Sequence, residues 1–344
     1  MTVALPDQPD DWTEPGAHPV APGVYRIPLP LPNDGLRAVN VYALDDPDGL
    51  VLIDSGWAMT ETEKALAAGL RYLGYDLSDI AHIAVTHAHG DHYTQAVLLR
   101  QEFGSRVSIG RGEQPTLDRL VDEDPRFEDQ ITLLRAFGAA EIADRVEQWA
   151  RTSFDRGDLV WEHPDGWLDD GDQIELYDRT LDVIATPGHT QGHVVMRDAP
   201  AGLLFAGDHI LPHITPSIGF EAVATKAPLR SYLESLRLVK EMPDTLLLPA
   251  HGPARPSVHT RVDELLVHHE VRLAAIYREV QRGAGTAFEV ASALRWTRRE
   301  RTLAELDQFN QMLAILETGA HLDVLVLQGE LTATETDGLR VYLT

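Results

Sequence analysis

The stretch Thr86-His87-Ala88-His89-Gly90-Asp91-His92 gathers three histidines and an aspartate within six residues, with a small residue in each gap. It closes an apolar run, Ile80 to Thr86, that reads as a buried strand. In extended backbone alternate side chains point the same way, so His87 and His89 can converge on one metal ion. The distance required is about 2.0–2.1 Å for an imidazole–zinc bond. Gly90 lets the chain turn, and Asp91 and His92 fall at the start of the next helix, where they can face a second ion. Further ligands occur at predicted strand ends: His189 in Thr186-Pro187-Gly188-His189-Thr190, Asp208 in Phe205-Ala206-Gly207-Asp208, and His251 in Leu248-Pro249-Ala250-His251-Gly252. Singly, each reads as well as a cap, a turn or a hydrogen-bonded core residue. Following the six-residue motif in this order, they indicate a metal centre. The chain has no cysteine, which excludes thiolate ligands, disulfides and a cysteine nucleophile together.

The elements that must position these residues are short apolar runs separated by turn residues. Strands are predicted at Val24–Ile27, Ala38–Ala43 and Leu50–Asp54, the last after the turn Asp45-Asp46-Pro47-Asp48-Gly49. A helix follows over Thr60–Leu73. The second half repeats the pattern, with strands near Gln173–Tyr177, Thr180–Ala185, Val194–Arg197, Leu203–Phe205 and Thr245–Leu248, and a helix near Leu229–Glu241. Gln114 to Arg156 reads as helical throughout. Strand clusters interleaved with helices in both halves predict two packed sheets with helices outside. Pro6, Pro9, Pro15 and Pro19 predict a disordered tail over residues 1–19.

After His251 the pattern becomes helical: one long helix over Val258–Arg282, two more over Ala287–Leu294 and Leu306–Val326, then a hairpin turning at Glu335-Thr336-Asp337-Gly338. Helices followed by a hairpin look like a winged helix, a module that often binds DNA. From Gly283 onward, however, five basic residues face nine acids, a net of −4, and Leu306–Val326 contains no Lys or Arg. The whole chain of 344 residues carries 29 basic and 54 acidic residues, formally −25. Such charge repels phosphate backbones and anionic membranes. Packing or self-association through this domain is the expectation. No apolar run approaches the ~20 residues of a membrane span, and the first residues lack the basic start and apolar stretch of a secretory signal. A cytoplasmic protein is expected.

The string H-x-H-x-D-H with a later His, Asp and His resembles the metallo-β-lactamase-fold hydrolases. His87, His89, Asp91, His92, His189, Asp208 and His251 match that signature position by position. Asp54, in Leu52-Ile53-Asp54-Ser55-Gly56, matches the family's early strand-end aspartate, which supports the site without binding metal. The resemblance covers about residues 20–256, and the C-terminal part is similar to the appendage of one family branch. It implies an α+β fold: an αββα sandwich of two mixed β-sheets with outer helices, plus a small C-terminal winged-helix-like domain. The expected division is a tail (1–19), a catalytic domain (20–257) with a helical insertion (114–156) as a candidate lid, a linking helix (258–282) and the appendage (283–344).

By resemblance, His87, His89 and His189 hold a first ion, Asp91, His92 and His251 hold a second, and Asp208 bridges them, with Asp91 and Asp208 as the catalytic carboxylates. Two divalent ions are implied, with zinc favoured by the histidine-rich set and iron or manganese compatible with it. A hydroxide bridging ions ~3.5–4 Å apart would attack a thioester or ester of a small molecule, one able to carry an anionic group. The alternatives are a phosphodiesterase or ribonuclease, a lactonase, and a mononuclear-iron persulfide dioxygenase. Family oxidoreductases with a di-iron centre replace the second His of the motif with Glu, and true β-lactamases lack the carboxylate found here at Asp208. Thr215-Pro216-Ser217-Ile218-Gly219 lacks the first glycine of a serine-hydrolase elbow. The apolar segment Ile210–Phe220 is a candidate acyl-pocket wall. His209 and His213 are weaker pocket candidates, His193 a packing or outer-shell residue, and His268–His269 a surface pair. Thr94, where the family commonly has glycine, should tighten the helix start.

Overall fold

The computed structural model describes residues 8–32, 35–123, 127–152 and 160–344. In chain order the first half contains β1 (His18–Ala21), β2 (Val24–Pro30), β3 (Ala38–Leu44), β4 (Leu50–Ile53), α1 (Thr60–Leu73), β5 (Ile80–Val85), α2 (Gly90–Phe103) and β6 (Arg106–Gly110). Then come α3 (Gln114–Asp122), α4 (Glu128–Ala136), α5 (Ala140–Thr152), β7 (Gly166–Leu168), β8 (Gln173–Glu175) and β9 (Thr180–Ala185). The rest comprises β10 (Val194–Asp198), β11 (Leu203–Gly207), α6 (Pro228–Glu241), β12 (Leu246–Pro249), α7 (Val258–Gln281), α8 (Ala287–Ala293), α9 (Gln308–Leu327), β13 (Thr332–Thr336) and β14 (Leu339–Leu343).

Two mixed sheets form, ordered β1-β2-β3-β4-β5-β6-β7 and β12-β11-β10-β9-β8. Alternation along the strands shows how they stack. In β11, Leu203 and Phe205 join an apolar layer with Tyr42, Leu44, Val51 and Ile53 of the other sheet. Leu204 and Ala206 turn the opposite way, onto Tyr232, Leu236, Val262 and Leu265 of α6 and α7. In the first sheet, Val39, Val41, Leu50 and Leu52 face Leu66, Leu70, Tyr93 and Val97 of α1 and α2. Strands covered on both faces read as unbroken apolar runs. The layers are therefore αββα, as expected.

Strand direction fixes the position of the site. β4 and β5 are parallel, as are β11 and β12, and β9 joins the latter direction through two antiparallel steps across β10. The loops holding His87–His92, His189, Asp208 and His251 all leave carboxyl ends of strands. Ligands in open α/β sheets collect at such ends.

Three predictions need correction. The tail expected over 1–19 is ordered from Gln8 on: His18–Ala21 pairs with β2, Val20 is fully buried, and Arg26 Nη1 donates to Trp12 O at 2.5 Å; residues 1–7 lie outside the described residues. The helical stretch over 114–156 is three helices, with residues 124–126 and 153–156 outside the described ones. Those helices and the C-terminal region share one core, in which Leu134, Phe137, Ile142 and Val146 pack with Ile276, Val290, Met312, Ile315 and Tyr342. Finally, His269 is 1% exposed, not a surface residue, because its ring packs between Tyr232 and His321; His268 beside it is exposed.

Candidate metal centre

All seven predicted ligand residues converge. Their ring and carboxylate atoms form three overlapping groups able to hold an ion: His87, His89 and His189; His87, His92 and Asp208; and Asp91, His92 and His251. In the first group the nitrogens approach at 2.9 Å (His87 Nε2 to His89 Nδ1), 3.1 Å (His189 Nε2 to His89 Nδ1) and 3.2 Å (His189 Nε2 to His87 Nε2). Three imidazole ligands on a tetrahedral zinc would stand about 3.3 Å apart, given bonds of about 2.05 Å.

The opposite nitrogen of each ring decides whether these are ordinary hydrogen bonds. His189 Nδ1 donates to Ser217 O at 2.8 Å, and His89 Nε2 to Phe220 O at 3.4 Å. The Thr86 hydroxyl donates to Asp54 at 3.0 Å, so at 3.1 Å its oxygen accepts from His87 Nδ1. Each ring's proton is thereby spent outward, and three bare lone pairs meet at one point. A divalent cation would satisfy all three lone pairs at once.

The second group follows the same logic. His92 Nδ1 donates to Asp54 Oδ2 at 2.9 Å and His251 Nδ1 to Ala38 O at 2.7 Å, turning both Nε2 atoms inward. Among the described residues, buried His92 Nε2, His251 Nε2 and Asp208 Oδ1 have no hydrogen-bond partner. Asp208 Oδ1 lies 3.3 Å from His251 Nε2 and 3.8 Å from His92 Nε2, while its Oδ2 lies 3.5 Å from His189 Nε2. One carboxylate thus faces both groups. Asp91 Oδ2 stands 3.4 Å from His251 Nε2, and its side chain keeps 14% exposure.

The electrostatics divide the histidines. Burial drives His87 and His89 down, the latter to about 3, so both are neutral and ready to ligate. Burial also opposes charge on His92 and His251, but Asp54, Asp91 and Asp208 outweigh it at His92, and Asp208 and Asp91 at His251, raising them to about 10 and about 9. Protons stand there where a dication would otherwise compensate the carboxylates.

Asp54 ends β4 in the left-handed region at φ 61, a conformation that Asp and Asn tolerate better than most residues. Its carboxylate accepts Thr86 N–H at 2.8 Å, the Thr86 hydroxyl and His92 Nδ1, so it braces both ligand groups. Thr94 pins the helix start as expected, accepting from Ala58 N at 2.9 Å and donating to Gly90 O. His193 is an outer-shell residue: its Nε2 accepts Asp208 N–H at 3.2 Å and its ring stacks on His87. His209 turns away, toward Tyr232.

Sequence reasoning missed Glu113 and Phe220's contact with the site. Glu113 is fully buried and accepts the Thr190 hydroxyl. Burial raises its carboxyl to about 7 against the opposing Thr190 hydroxyl and the N–H groups of Ala88 and Gly192. A Cβ on Gly192 would fall 2.0 Å from Glu113 N, so the two loops touch backbone to backbone. The triplet Gly110-Arg111-Gly112, paired with Gly192, was the available signal. The Phe220 ring lies 6.0 Å from His89, 5.9 Å from Phe127 and 5.4 Å from Phe309, joining the site to α4 and α9.

The profile of the metallo-beta-lactamase superfamily matches residues 34–251. The chain belongs to that superfamily. A probable metallo-hydrolase of Bacillus subtilis (strain 168) is 28% identical over 321 residues, covering 90% of this chain and 93% of the relative. A hydroxyacylglutathione hydrolase of Aeromonas salmonicida (strain A449) is 36% identical over 158 residues, covering 45% of this chain and 59% of the relative. Among solved structures, a metallo-beta-lactamase family protein from Thermus thermophilus superposes with TM-score 0.78 at 27% identity, covering 94% of this chain and 99% of that one. The protein is therefore a metallo-hydrolase of this superfamily with a His/Asp site for divalent metal. Among the described residues, no helix is long and apolar enough to cross a membrane.

Proposed function

We propose that this metallo-hydrolase binds two divalent ions, zinc in the first instance, and hydrolyses a thioester or ester of a small molecule. The observation that carries the dinuclear reading is Asp208, whose two oxygens face different clusters of inward-turned imidazoles at 3.3 and 3.5 Å. His87, His89 and His189 would hold one ion and Asp91, His92 and His251 the other, with Asp208 between them. Bound there, the pair would acidify water near neutral pH and stabilise a developing oxyanion.

The chain's own residues supply the rest. Asp91, the more exposed carboxylate, orients the attacking water and takes its proton on the carboxylate for delivery to the leaving group. Asp54 and His193 hold His92 and Asp208 in register. Phe220, with Phe127 and Phe309 behind it, offers an apolar wall beside His89 for the acyl portion. The hydroxyacylglutathione hydrolase relative supports a thioester over a phosphodiester. So does the net charge of −25.

The test combines metal analysis with one acyl group presented as thioester, oxygen ester and lactone, and bis-nitrophenyl phosphate beside them. Two ions per chain and the highest kcat/KM on the thioester or ester are expected. A phosphodiester rate exceeding every acyl substrate would overturn the substrate class, and a single ion at full activity would overturn the dinuclear reading.

A further inference from the structure

On a chain so acidic, a place where arginines outnumber carboxylates is unusual. One surrounds the loop Leu211–Ile214, after β11. Arg261 of α7 donates Nε–H to Leu211 O at 2.6 Å and Nη2–H to Ile214 O at 2.8 Å. Arg298, from the segment between α8 and α9, donates to His213 O. Arg255, from the loop after β12, lies 3.0 Å from Glu264, which Arg261 shares at 2.8 Å. Three guanidinium groups from separate segments thus gather about the loop, and two of them, Arg255 and Arg261, share the Glu264 carboxylate. Arg298 is exposed and, among the described residues, has no ion-pair partner. The His213 ring is exposed between these arginines; burial and then the charges of Arg255, Arg298 and Arg261 lower its pKa, so it is a neutral hydrogen-bonding group at pH 7.

This loop packs against the residue that follows the candidate ligand His251. A Cβ on Gly252, the residue after His251, would lie 2.5 Å from Pro212 Cγ and 3.8 Å from His213 Cδ2. Phe220 instead adjoins His89, a member of the other ligand group. An aromatic wall therefore borders one group and a cationic rim borders the other.

We infer that Arg298, Arg255 and His213 form a subsite for the anionic part of the leaving group, so that the preferred substrates are acyl thioesters whose thiol carries phosphate or carboxylate groups. The inference rests on the hydrolase reading above and names its substrate class. Arg298 commits one N–H to His213 O and keeps others for a planar oxyanion, which guanidinium binds in fork geometry. The local field acts within a Debye length of about 8–10 Å, inside which the nearby arginines dominate the distributed negative charge.

The test uses the zinc-replete 344-residue chain and one acyl group on three thiols: coenzyme A (phosphates), glutathione (carboxylates) and N-acetylcysteamine (neutral). Wild type should favour an anionic thioester over the neutral one by at least ~10-fold in kcat/KM, and the better anionic arm identifies phosphate or carboxylate. Arg298→Gln should cut that ratio several-fold, mostly through KM, and Arg298→Glu should abolish it. Arg255→Gln serves as a second variant if an Arg298 variant loses folded structure by circular dichroism. Calorimetric binding of the S-methyl thioethers of coenzyme A and glutathione provides a readout independent of turnover. Thioester hydrolysis with no anionic preference, or with a preference that the Arg298 and Arg255 variants leave intact, overturns the subsite and spares the hydrolase reading. Arginine-dependent thioether binding without hydrolysis of any thioester supports the subsite and overturns that reading.

Discussion

Asp54 offers the sharpest separation between the two ligand groups. Its carboxylate accepts three buried hydrogen bonds: Thr86 N–H (2.8 Å), Thr86 Oγ1–H (3.0 Å) and His92 Nδ1–H (2.9 Å). Asp54→Ala orphans all three donors, at about 1–3 kcal/mol each before relaxation, and places alanine in a left-handed conformation at roughly another 1 kcal/mol. That variant should fold poorly. Asp54→Asn is the informative change, because Asn tolerates φ 61 and its amide oxygen still accepts from Thr86. Its NH2 then faces His92 Nδ1 and drives the ring to the other tautomer, with the proton on Nε2 aimed at the second metal position. The network around His87 is kept. The second ion should therefore bind at least ~10–100-fold more weakly, the usual effect of losing such a partner, while the first stays. Competition with a chromogenic chelator resolves the two affinities, and denaturant melts of the metal-free proteins compare the folds. Two ions bound with wild-type affinities, or equal weakening of both, would refute the tautomer argument.

Asp208→Ala should lower metal content at both positions and cut turnover by at least ~100-fold, whereas His251→Ala should retain about one ion, with metals per chain and hydrolysis measured on the same folded samples. Gly319→Ala sets helix propensity against packing: the exchange usually favours a helix by about 1 kcal/mol, but here the new Cβ meets the Phe137 ring at 2.4 Å. The clash should win, with a net loss of about 1–2 kcal/mol in urea unfolding; a stabilised variant would mean that α9 and Phe137 are less tightly packed. Burial holds His269 at about 2 and His321 at about 3. The unfolded chain takes up these protons near pH 6.5 and the folded one does not, so their stabilisation is present above about pH 6.5 and lost as pH falls toward 3. Between about pH 7.5 and 5.5 the two should remove roughly 2–3 kcal/mol, and a His269→Leu/His321→Leu protein should lose that share of the slope while the other buried histidines keep theirs.

The candidate ligands were legible because they sit where apolar runs buried on both faces stop and a polar residue follows. Asp54 apart, the bracing contacts were not, because their partners are remote in sequence: Glu113 meets Thr190 77 positions away, and His251 meets Ala38 213 positions away. β1, β6 and β7 were overlooked for a different reason. β1 is four residues among prolines, β6 is five residues ending in glycine, and β7 is three residues at a sheet edge, all too short to show a period. The insertion's helices were visible by their apolar spacing, yet nothing in that spacing says which face meets α9, so their common core with the C-terminal region emerged only in three dimensions.

Averaging concealed the arginine rim. The net charge of −4 from Gly283 onward weighs against a phosphate backbone, which needs a stripe of cations over many residues. A small anion needs only two or three donors. Arg295, Arg298, Arg299 and Arg301 lie within seven positions, and one of them is delivered to the loop beside His251. The same region contributes Phe309 to the aromatic wall near His89. Every candidate ligand lies at or before His251, whereas Arg298 and Phe309, which reinforce the proposed rim and wall, come from beyond residue 283. On this reading the C-terminal region is the part of the fold that can change substrates while the chemistry stays fixed.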